Sequence, residues 1–301
     1  MKVLITGSNG QLGSELKELV SNSKLEIQNY TFIFADSKSV DITDHEAVKQ
    51  FIVDNDIRFI VNCAAYTAVD KAESDIERAA KINHLAVANI AEIAKEYDIK
   101  LVHVSTDYVF DGHNYRPYLE GDQTNPQGVY GTTKLAGEQA ILDINPKNSI
   151  IIRTSWVYSY YGANFVKTML RLGRERDSLG VIYDQVGTPT YAKDLAKTIL
   201  DILPKIQYCY SELVSEYQVK IYNYSNEGIA SWYDFAKEIM SIANIDCQVN
   251  PIETKDYPTP AKRPHYSVLS KSKIKLDFNI EIPYWKDSLR DCLTRILNYE
   301  I

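Results

Sequence analysis

The chain opens with Met1-Lys-Val-Leu-Ile-Thr-Gly-Ser-Asn-Gly-Gln-Leu-Gly13, a short apolar run followed by three evenly spaced glycines. The run Lys2–Thr6 predicts a buried strand, and Gly7, Gly10 and Gly13 lie between it and the first helical pattern. Glycine permits a tight turn and lets the backbone approach a pyrophosphate. The helix N-terminus that follows offers free N–H groups and the positive end of its dipole. The segment therefore predicts the first turn of a dinucleotide-binding fold.

Strand and helix patterns alternate from this turn to about residue 156. The further strands are predicted at Thr31–Ala35, Arg58–Asn62, Lys100–Val104 and Ser149–Arg153. The helices between them are predicted at Gln11–Val20, His45–Val53, Glu73–Tyr97 and Tyr130–Leu142. Short β-rich runs that alternate with helices are typical of parallel βαβ units. The pattern predicts an α/β protein with a doubly wound parallel sheet, the Rossmann arrangement.

The alternation loosens after residue 156, where helices near Ser231–Ala243 and Trp285–Leu297 stand apart. We predict a dinucleotide-binding domain over residues 1–156, with segments from about 180–224 returning to the sheet. Residues 157–301 are predicted to form mainly a smaller, substrate-binding lobe.

The composition argues against several other classes of protein. The net charge of −7 and the lack of a long basic run argue against a nucleic-acid surface. The four cysteines show no CxxC pairing, and the five histidines form no HExxH motif, so no metal site is predicted. Free thiols in a reducing compartment are the favoured interpretation. No apolar stretch approaches membrane-spanning length, and we expect a cytoplasmic protein.

Asp36 follows the second strand, at the place where a carboxylate usually holds the ribose 2′-hydroxyl of NADH. The next residues, Ser37 and Lys38, could instead receive the 2′-phosphate of NADPH. The preference between NADH and NADPH therefore stays open, as does the alternative that Asp36 is only a turn residue. Asp41 and Ile42 are expected to begin the next helix, either beside the adenine or, for Asp41, as a helix cap.

Tyr130 and Lys134 form a Tyr-x-x-x-Lys pattern on a predicted helix, where residues four apart share one face. A lysine ammonium at this place is expected to lower the pKa of the tyrosine, so that the phenol can act as an acid or base. Ser105, Thr106 and Asp107 end the fourth strand, at the sheet edge where ligands bind. A hydroxyl there can hydrogen-bond a substrate carbonyl. Together these elements predict a carbonyl reductase.

The sequence also resembles a known family over nearly its whole length. The resemblance is to the dTDP-4-dehydrorhamnose reductases, within the extended short-chain dehydrogenase/reductase family. Its most specific segments are Val61-Asn-Cys-Ala-Ala-Tyr-Thr-Ala-Val-Asp-Lys-Ala-Glu73, Ser105-Thr-Asp-Tyr-Val-Phe-Asp-Gly112, Tyr130-Gly-Thr-Thr-Lys-Leu-Ala-Gly-Glu138 and Arg153-Thr-Ser-Trp-Val-Tyr158. Later segments continue it, namely Asn164-Phe-Val-Lys-Thr-Met-Leu170, Asp184-Gln-Val-Gly-Thr-Pro-Thr190 and Tyr257-Pro-Thr-Pro-Ala-Lys-Arg-Pro264.

The resemblance implies reduction of the C4 ketone of dTDP-6-deoxy-L-lyxo-4-hexulose by NADPH or NADH. It assigns catalysis to Thr106, Tyr130 and Lys134. The implied cofactor contacts, besides Tyr130 and Lys134, are Gly7, Gly10, Gln11, Leu12, Gly13, Asp36, Asp41, Ile42, Ala64, Ala65 and Thr67. The implied contacts with the dTDP-sugar are Thr106, Asp107, Trp156 and Arg263. For Trp156 a core aromatic, and for Arg263 a surface salt bridge, are the competing interpretations.

Two other functions stay open at this point. One is a related nucleotide-sugar epimerase or dehydratase that retains NAD; dehydratases usually add an acidic pair after the strand-four hydroxyl, whereas Tyr108 follows Asp107 here. The other is a catalytically silent regulatory subunit of the same fold. Some relatives dimerise through Mg²⁺ held by second-lobe carboxylates; no motif here matches those ligands, so Mg²⁺ and a homodimer are also left open.

Overall fold

The computed structural model of the chain describes residues 1–22, 29–206 and 219–299. The strands within these ranges are β1 (Lys2–Thr6), β2 (Thr31–Ala35), β3 (Ile57–Asn62), β4 (Lys100–Thr106), β5 (Ile150–Thr154), β6 (Val157–Tyr158), β7 (Ser178–Ile182), β8 (Val186–Gly187), β9 (Thr190–Tyr191), β10 (Lys220–Asn223), β11 (Ala230–Ser231) and β12 (Gln248–Ile252). The main sheet is parallel and has the order β10-β5-β4-β3-β1-β2. The predicted fold class is therefore confirmed.

The helices lie on both faces of this sheet and in the C-terminal half. They are α1 (Gln11–Asn22), α2 (His45–Asp54), α3 (Val69–Ala72), α4 (Ile76–Ala80), α5 (Ala86–Glu96), α6 (Val129–Ile144), α7 (Phe165–Glu175), α8 (Ala192–Ile206), α9 (Trp232–Ala243), α10 (Ser272–Phe278) and α11 (Trp285–Tyr299). None of these described helices combines the length and apolar character needed to cross a lipid bilayer.

The side chains of β1 alternate between two separate cores, because successive residues of a strand point to opposite faces. Val3 and Ile5 pack in the core that α1 and α8 cover, and Leu4 packs in the core covered by α2, α5 and α6. Both faces of the strand are buried, as expected for a parallel sheet between helices. This double burial is why the strands could be predicted from short apolar runs.

A third core joins α7, α9 and α11 in the C-terminal half. The chain returns from there to the main sheet, since β10 pairs with β5 and α8 packs beside α1. Ile274 and Phe278 of α10 also belong to the core under the sheet. The division of the chain near residue 156 stays a prediction, and the part of the predicted return segment at 207–218 lies outside the described residues.

The helix predicted over Glu73–Tyr97 is confirmed from Ile76 to Glu96, but it is not α-helical throughout. The chain forms α4, then a π-helical segment at Lys81–Leu85, and then α5. The side-chain amide of Asn83, in the π-helical segment, makes two hydrogen bonds with the backbone of Tyr66. It accepts from the Tyr66 N–H at 2.8 Å and donates to the Tyr66 carbonyl at 3.1 Å. A π-bulge of this kind changes which side chains face the core. Here it fixes the loop that follows β3.

The packing of α6 against this π-helical segment leads to a stability prediction. A Cβ atom on Gly137 would lie 2.2 Å from the carbonyl oxygen of Asn83, which is rigid backbone. Gly137→Ala is therefore expected to destabilise the protein by about 1–3 kcal/mol through overpacking, even though alanine is the better helix former. Urea unfolding measures the change.

Gly121→Ala is the matched control, because a Cβ there meets nothing within 4 Å. It should alter the free energy of unfolding by no more than about 0.5 kcal/mol. Equal stability of the two variants would contradict the close approach of α6 and Asn83.

Candidate active site

The turn after β1 meets the loop after β3 at the point where the strand order reverses. A Cβ on Gly7, which has a φ of +65°, would lie 2.7 Å from the backbone nitrogen of Ala64. A Cβ on Gly13 would lie 2.4 Å from the carbonyl oxygen of Gly7. Both positions therefore require glycine for packing. Ligands of doubly wound sheets bind in the crevice at such a reversal.

Gly10 differs from its two neighbours in the motif. A Cβ there would contact only the carbonyl oxygen of Gly7, at 3.2 Å, so its remaining space faces the cleft. Helix α1 begins at the next residue, Gln11, and the N–H groups of a first helical turn have no acceptor within the helix. Open space above such N–H groups fits a pyrophosphate.

The cleft above the turn has a volume of about 1180 Å³. This exceeds the roughly 300–1,000 Å³ of ordinary small-molecule pockets, so the cleft has room for a dinucleotide and a second ligand. The structure brings sixteen of the residues named from the sequence to its walls: Gly7, Gly10, Gln11, Leu12, Gly13, Asp36, Asp41, Ile42, Ala64, Ala65, Thr67, Thr106, Asp107, Tyr130, Lys134 and Trp156. Their individual roles stay predictions.

Asp36 lies at the end of the cleft where the adenosine is predicted to bind. Its carboxylate accepts from the Ser39 hydroxyl at 2.7 Å, from the Ser39 and Lys38 N–H groups at 2.9 and 3.1 Å, and from the Asn9 amide at 2.8 Å. These bonds, that of the Ser39 hydroxyl first, lower the pKa of Asp36 to about 2. The side chain thus stabilises its own turn and also presents a fixed negative charge to the cleft.

Asp41 does not begin a helix, contrary to the sequence expectation. Its carboxylate accepts from the N–H and hydroxyl of Thr43, at 2.9 and 2.8 Å, and these bonds hold its pKa below the ordinary value. The cap of α2 is Asp44, which accepts from the N–H of Ala47 at 3.0 Å. Asp44 fits the capping geometry because α2 starts at the residue after it.

Thr106 and Asp107 lie where β4 ends, at the opposite end of the cleft. The Thr106 hydroxyl donates to Asp107 Oδ1 at 3.0 Å and accepts from the N–H of Tyr108 at 3.2 Å. Burial raises the pKa of Asp107 to about 7, against the effect of the Thr106 bond. The neighbouring Ser105 hydroxyl is buried and finds no partner among the described residues. These groups provide hydrogen-bonding capacity beside the cleft.

Tyr130 and Lys134 both reach this end from α6, but the expected effect of the lysine on the tyrosine is not observed. Burial raises the pKa of Tyr130 to about 12, and the Thr106 hydroxyl opposes the shift. The Lys134 Nζ atom lies 2.7 Å from the Val104 carbonyl oxygen and 3.2 Å from His103 Nε2, on the inner side of the cleft wall. Burial also lowers the pKa of Lys134 to about 8.

Trp156 lines the cleft with its backbone in the left-handed region, at a φ of +49°. A bulky side chain rarely adopts this conformation, which persists where packing enforces it. The indole stacks on Trp232 at 3.6 Å, and Gly187 leaves room for it, since a Cβ there would lie 2.8 Å from the ring. The Trp156 side chain therefore packs against Trp232 and also lines the cleft.

Arg263 is not brought into the cleft. Its guanidinium holds both carboxylate oxygens of Asp70 at 2.8 Å, and it also donates to the Thr259 hydroxyl and the Ala261 carbonyl. The salt-bridge interpretation accounts for this geometry, while contact with the substrate stays a prediction. The bridge ties the segment around Arg263 to α3, which follows the cleft-lining loop after β3.

Four residues behind or beside the cleft were missed from the sequence: Asn62, Asn83, His103 and Trp232. Asn62 ends the run Phe59–Asn62 of β3, and His103 lies within the apolar run of β4; both are buried, and a buried polar side chain needs a hydrogen-bonding partner. A polar residue beside or within a buried apolar run was the available signal. Asn83 and Trp232 carried none, because their partners are distant in the sequence.

Within the ranges that the structure describes, no group of three or more histidine, cysteine, aspartate or glutamate side chains could hold a metal ion. Cys63, Cys247 and Cys292 are free thiols, and Cys209 lies outside the described residues. The question of a homodimer stays open, as the sequence leaves it.

The parallel sheet, the glycine turn at its strand reversal and the Thr106, Tyr130 and Lys134 side chains at one cleft define the class of extended short-chain dehydrogenase/reductases. A family model, the RmlD substrate binding domain, matches residues 1–298. The dTDP-4-dehydrorhamnose reductase of Aggregatibacter actinomycetemcomitans is 42% identical over 299 residues, which cover 96% of this chain and 97% of that relative. The chain therefore belongs to the RmlD family of dTDP-4-dehydrorhamnose reductases.

Two solved structures of the same family are similar over almost the full length. A dTDP-4-dehydrorhamnose reductase of Clostridium acetobutylicum has a TM-score of 0.90 and 41% identity, covering 99% of this chain and 100% of that one. The dTDP-4-dehydrorhamnose reductase of Bacillus anthracis, in complex with NADP, has a TM-score of 0.87 and 38% identity, covering 98% and 99%.

The open space at Gly10 leads to a binding prediction. Gly10→Ala would place a methyl group where the pyrophosphate is expected and 3.2 Å from the carbonyl oxygen of Gly7, which has to shift by a few tenths of an ångström. We expect the affinity for NADPH to fall by on the order of tenfold or more, while the melting temperature changes little. Titration calorimetry measures the affinity, with Gly121→Ala as the control. Unchanged affinity in Gly10→Ala would place the pyrophosphate elsewhere.

Proposed function

We propose that this chain catalyses the last step of dTDP-L-rhamnose synthesis, the reduction of the C4 ketone of dTDP-6-deoxy-L-lyxo-4-hexulose by NADPH or NADH. The observation that carries the proposal is the convergence of Thr106, Tyr130 and Lys134 beside the glycine turn in one large cleft. Membership of the RmlD family supplies the substrate class. The NADP bound by the Bacillus anthracis relative supports a nicotinamide cofactor.

The reduced nicotinamide, when bound, supplies a hydride to the C4 carbon of the ketone. Tyr130 donates the phenolic proton to the ketone oxygen, so that carbonyl becomes alcohol. Its raised pKa keeps that proton in place at neutral pH, as a reduction requires. The Thr106 hydroxyl opposes the rise in the Tyr130 pKa. We propose that this hydroxyl also polarises the ketone oxygen. Lys134 is proposed to stabilise the phenolate that proton transfer leaves.

The direct test is cofactor oxidation by the purified protein with substrate generated in situ, run with NADH and NADPH in parallel. Formation of dTDP-L-rhamnose supports the proposal. No oxidation with either cofactor, in the presence of proven substrate, overturns it and directs attention to an epimerase that retains NAD or to a silent subunit.

Tyr130→Phe removes the proton donor and keeps the ring that packs edge-on against Tyr108, 5.4 Å between centroids. We expect kcat to fall by about 10²–10⁴-fold with NADPH affinity nearly unchanged, because only the transition state uses the hydroxyl. Tyr115→Phe, at a tyrosine 92% exposed, is the matched control and should keep full activity. Full activity in Tyr130→Phe would remove the phenol from the mechanism.

Asp36→Asn tests cofactor preference. The amide keeps an oxygen for the Ser39 bonds but removes the charge that would repel a 2′-phosphate. We expect kcat/KM for NADPH relative to NADH to rise on the order of tenfold. Because the pKa of Asp36 is about 2, the effect should be the same from about pH 6 to 9. Asp143→Asn on the exposed surface of α6 is the control; an unmoved ratio would make Asp36 a turn residue only.

A further inference from the structure

Helix α6, which carries Tyr130 and Lys134, begins without a capping side chain of its own. Its N-cap residue is Gly128, at a φ of −152° and a ψ of 171°, and the first turn contains no acidic residue. The N–H groups of a first helical turn have no acceptor within the helix, and helix ends fray. Tyr130 is the second residue of α6. The proposed proton donor therefore lies in the part of the helix that most needs an external partner.

Glu73 supplies this partner from a different element. Its Oε1 atom accepts from the N–H of Val129 at 2.9 Å, although the two residues are 56 positions apart. A Cβ on Gly128 would lie 2.7 Å from the same oxygen. The carboxylate thus occupies the space in which the side chain of an ordinary N-cap residue would begin. A negative group at this place also interacts favourably with the positive end of the helix dipole.

Glu73 is itself held in position by the short helix α3, which it follows directly. Asp70 of α3 accepts from both terminal nitrogens of Arg263 at 2.8 Å and from the N–H of Ala261 at 3.2 Å. Ala72 is buried in an apolar cluster against which the start of α6 packs. Helix α3 and Glu73 therefore form a fixed support between the segment around Arg263 and the first turn of α6.

The opposite side of this first turn packs against the segment after β4. A Cβ on Gly131 would lie 2.3 Å from the carbonyl oxygen of Tyr108, and the rings of Tyr108 and Tyr130 pack edge-on. The N–H of Tyr108 donates to the Thr106 hydroxyl. The first turn is thus held between Glu73 and the residues that carry the other proposed catalytic hydroxyl. A displaced turn would move the phenol relative to Thr106.

We propose that Glu73 is a positioning residue, which caps α6 from outside the helix and so fixes the phenol of Tyr130 for proton transfer. The proposal rests on the function proposed above, in which Tyr130 is the proton donor. Glu73 is not among the described residues that line the cleft, so it acts through the helix. Because most of the predicted cofactor contacts lie outside α6, its loss should lower kcat more than NADPH affinity.

The first test needs no turnover. Amide exchange at Val129, followed by NMR, reports the capping bond directly. In Glu73→Ala this amide should exchange on the order of tenfold faster, whereas Glu73→Gln, whose amide oxygen can still accept, should keep most of the protection. Glu77→Ala, at an exposed glutamate of α4, is the matched control and should leave Val129 unchanged. Unchanged exchange in Glu73→Ala would overturn the proposal, whatever the fate of the reductase assignment.

The second test separates kcat from binding. A small misplacement of a reacting group is costly in rate, so we expect kcat for ketone reduction to fall about tenfold or more in Glu73→Ala. NADPH affinity, measured by calorimetry, should change by less than about twofold. Glu73→Gln should keep most of the rate, and all rates are compared well below the melting temperature of each variant. An unchanged kcat in Glu73→Ala, or an equal loss of kcat in Glu73→Gln, would contradict the proposal.

A cap built into the helix provides the third test. Serine is a favoured N-cap residue, and the extended backbone of Gly128 suits it. Removal of the Glu73 carboxylate frees the space that a Cβ at Gly128 requires. The double variant Glu73→Ala/Gly128→Ser should therefore recover most of the lost kcat, and no recovery in a folded double variant would overturn the proposal. If the Val129 amide responds as expected but the protein reduces no dTDP-sugar, the reductase assignment fails and not the cap that Glu73 supplies.

Discussion

The close approach of two backbone segments at the strand reversal controls the rest of this molecule. Gly7 packs against the backbone of Ala64, and Gly13 packs against the turn that Gly7 begins. No side chain fits at either contact, so the loop after β1 packs directly against the loop after β3. Both loops therefore line the same cleft. Helix α1 can then begin at Gln11 with its free N–H groups facing that cleft. The shape of the glycine turn is thus a result of backbone packing, and of its three glycines Gly10 alone has open space around its Cα.

The same contact explains why polar residues tolerate burial in the middle of the sheet. The N–H of Ala64, held beside Gly7, is the group that orients Asn62, and Asn62 in turn meets His103 and Lys134. A buried polar network is stable only when every member is satisfied. The glycine turn and the lysine of the Tyr-x-x-x-Lys pattern are therefore linked through hydrogen bonds, although they lie in different elements.

Much of the sheet could be predicted from the sequence because its strands are buried on both faces, and an apolar run then indicates a strand. The limits of β1 and β2 agree with the prediction to the residue. The cleft-lining positions follow from motifs at strand ends, where topology brings them together. Contacts between distant residues leave no such pattern: Asn83 lies in a π-helical turn of the helix predicted after β3 and bonds to Tyr66 in the loop after β3, and Arg263 is held by a partner almost two hundred positions away. The inward turn of Lys134 likewise depends on His103, so the sequence indicated which residues meet but not the sign of the Tyr130 pKa shift.

The two ends of the cleft favour different charge states. This difference fits the two tasks proposed for them, the choice of cofactor at one end and proton transfer at the other. Near Asp36 and Asp41, hydrogen bonds from neighbouring backbone and hydroxyl groups lower both carboxyl pKa values and keep the charges in place. Near Tyr130, burial favours neutral forms, raising the pKa of Asp107 and lowering that of Lys134. Fixed charge at an exposed edge discriminates between ligands by attraction and repulsion at little cost in solvation. A carboxyl with a pKa of about 7 and a lysine with a pKa of about 8 can exchange protons near neutral pH, which supports the proposal that the chemistry belongs to the buried end and the choice of cofactor to the exposed one.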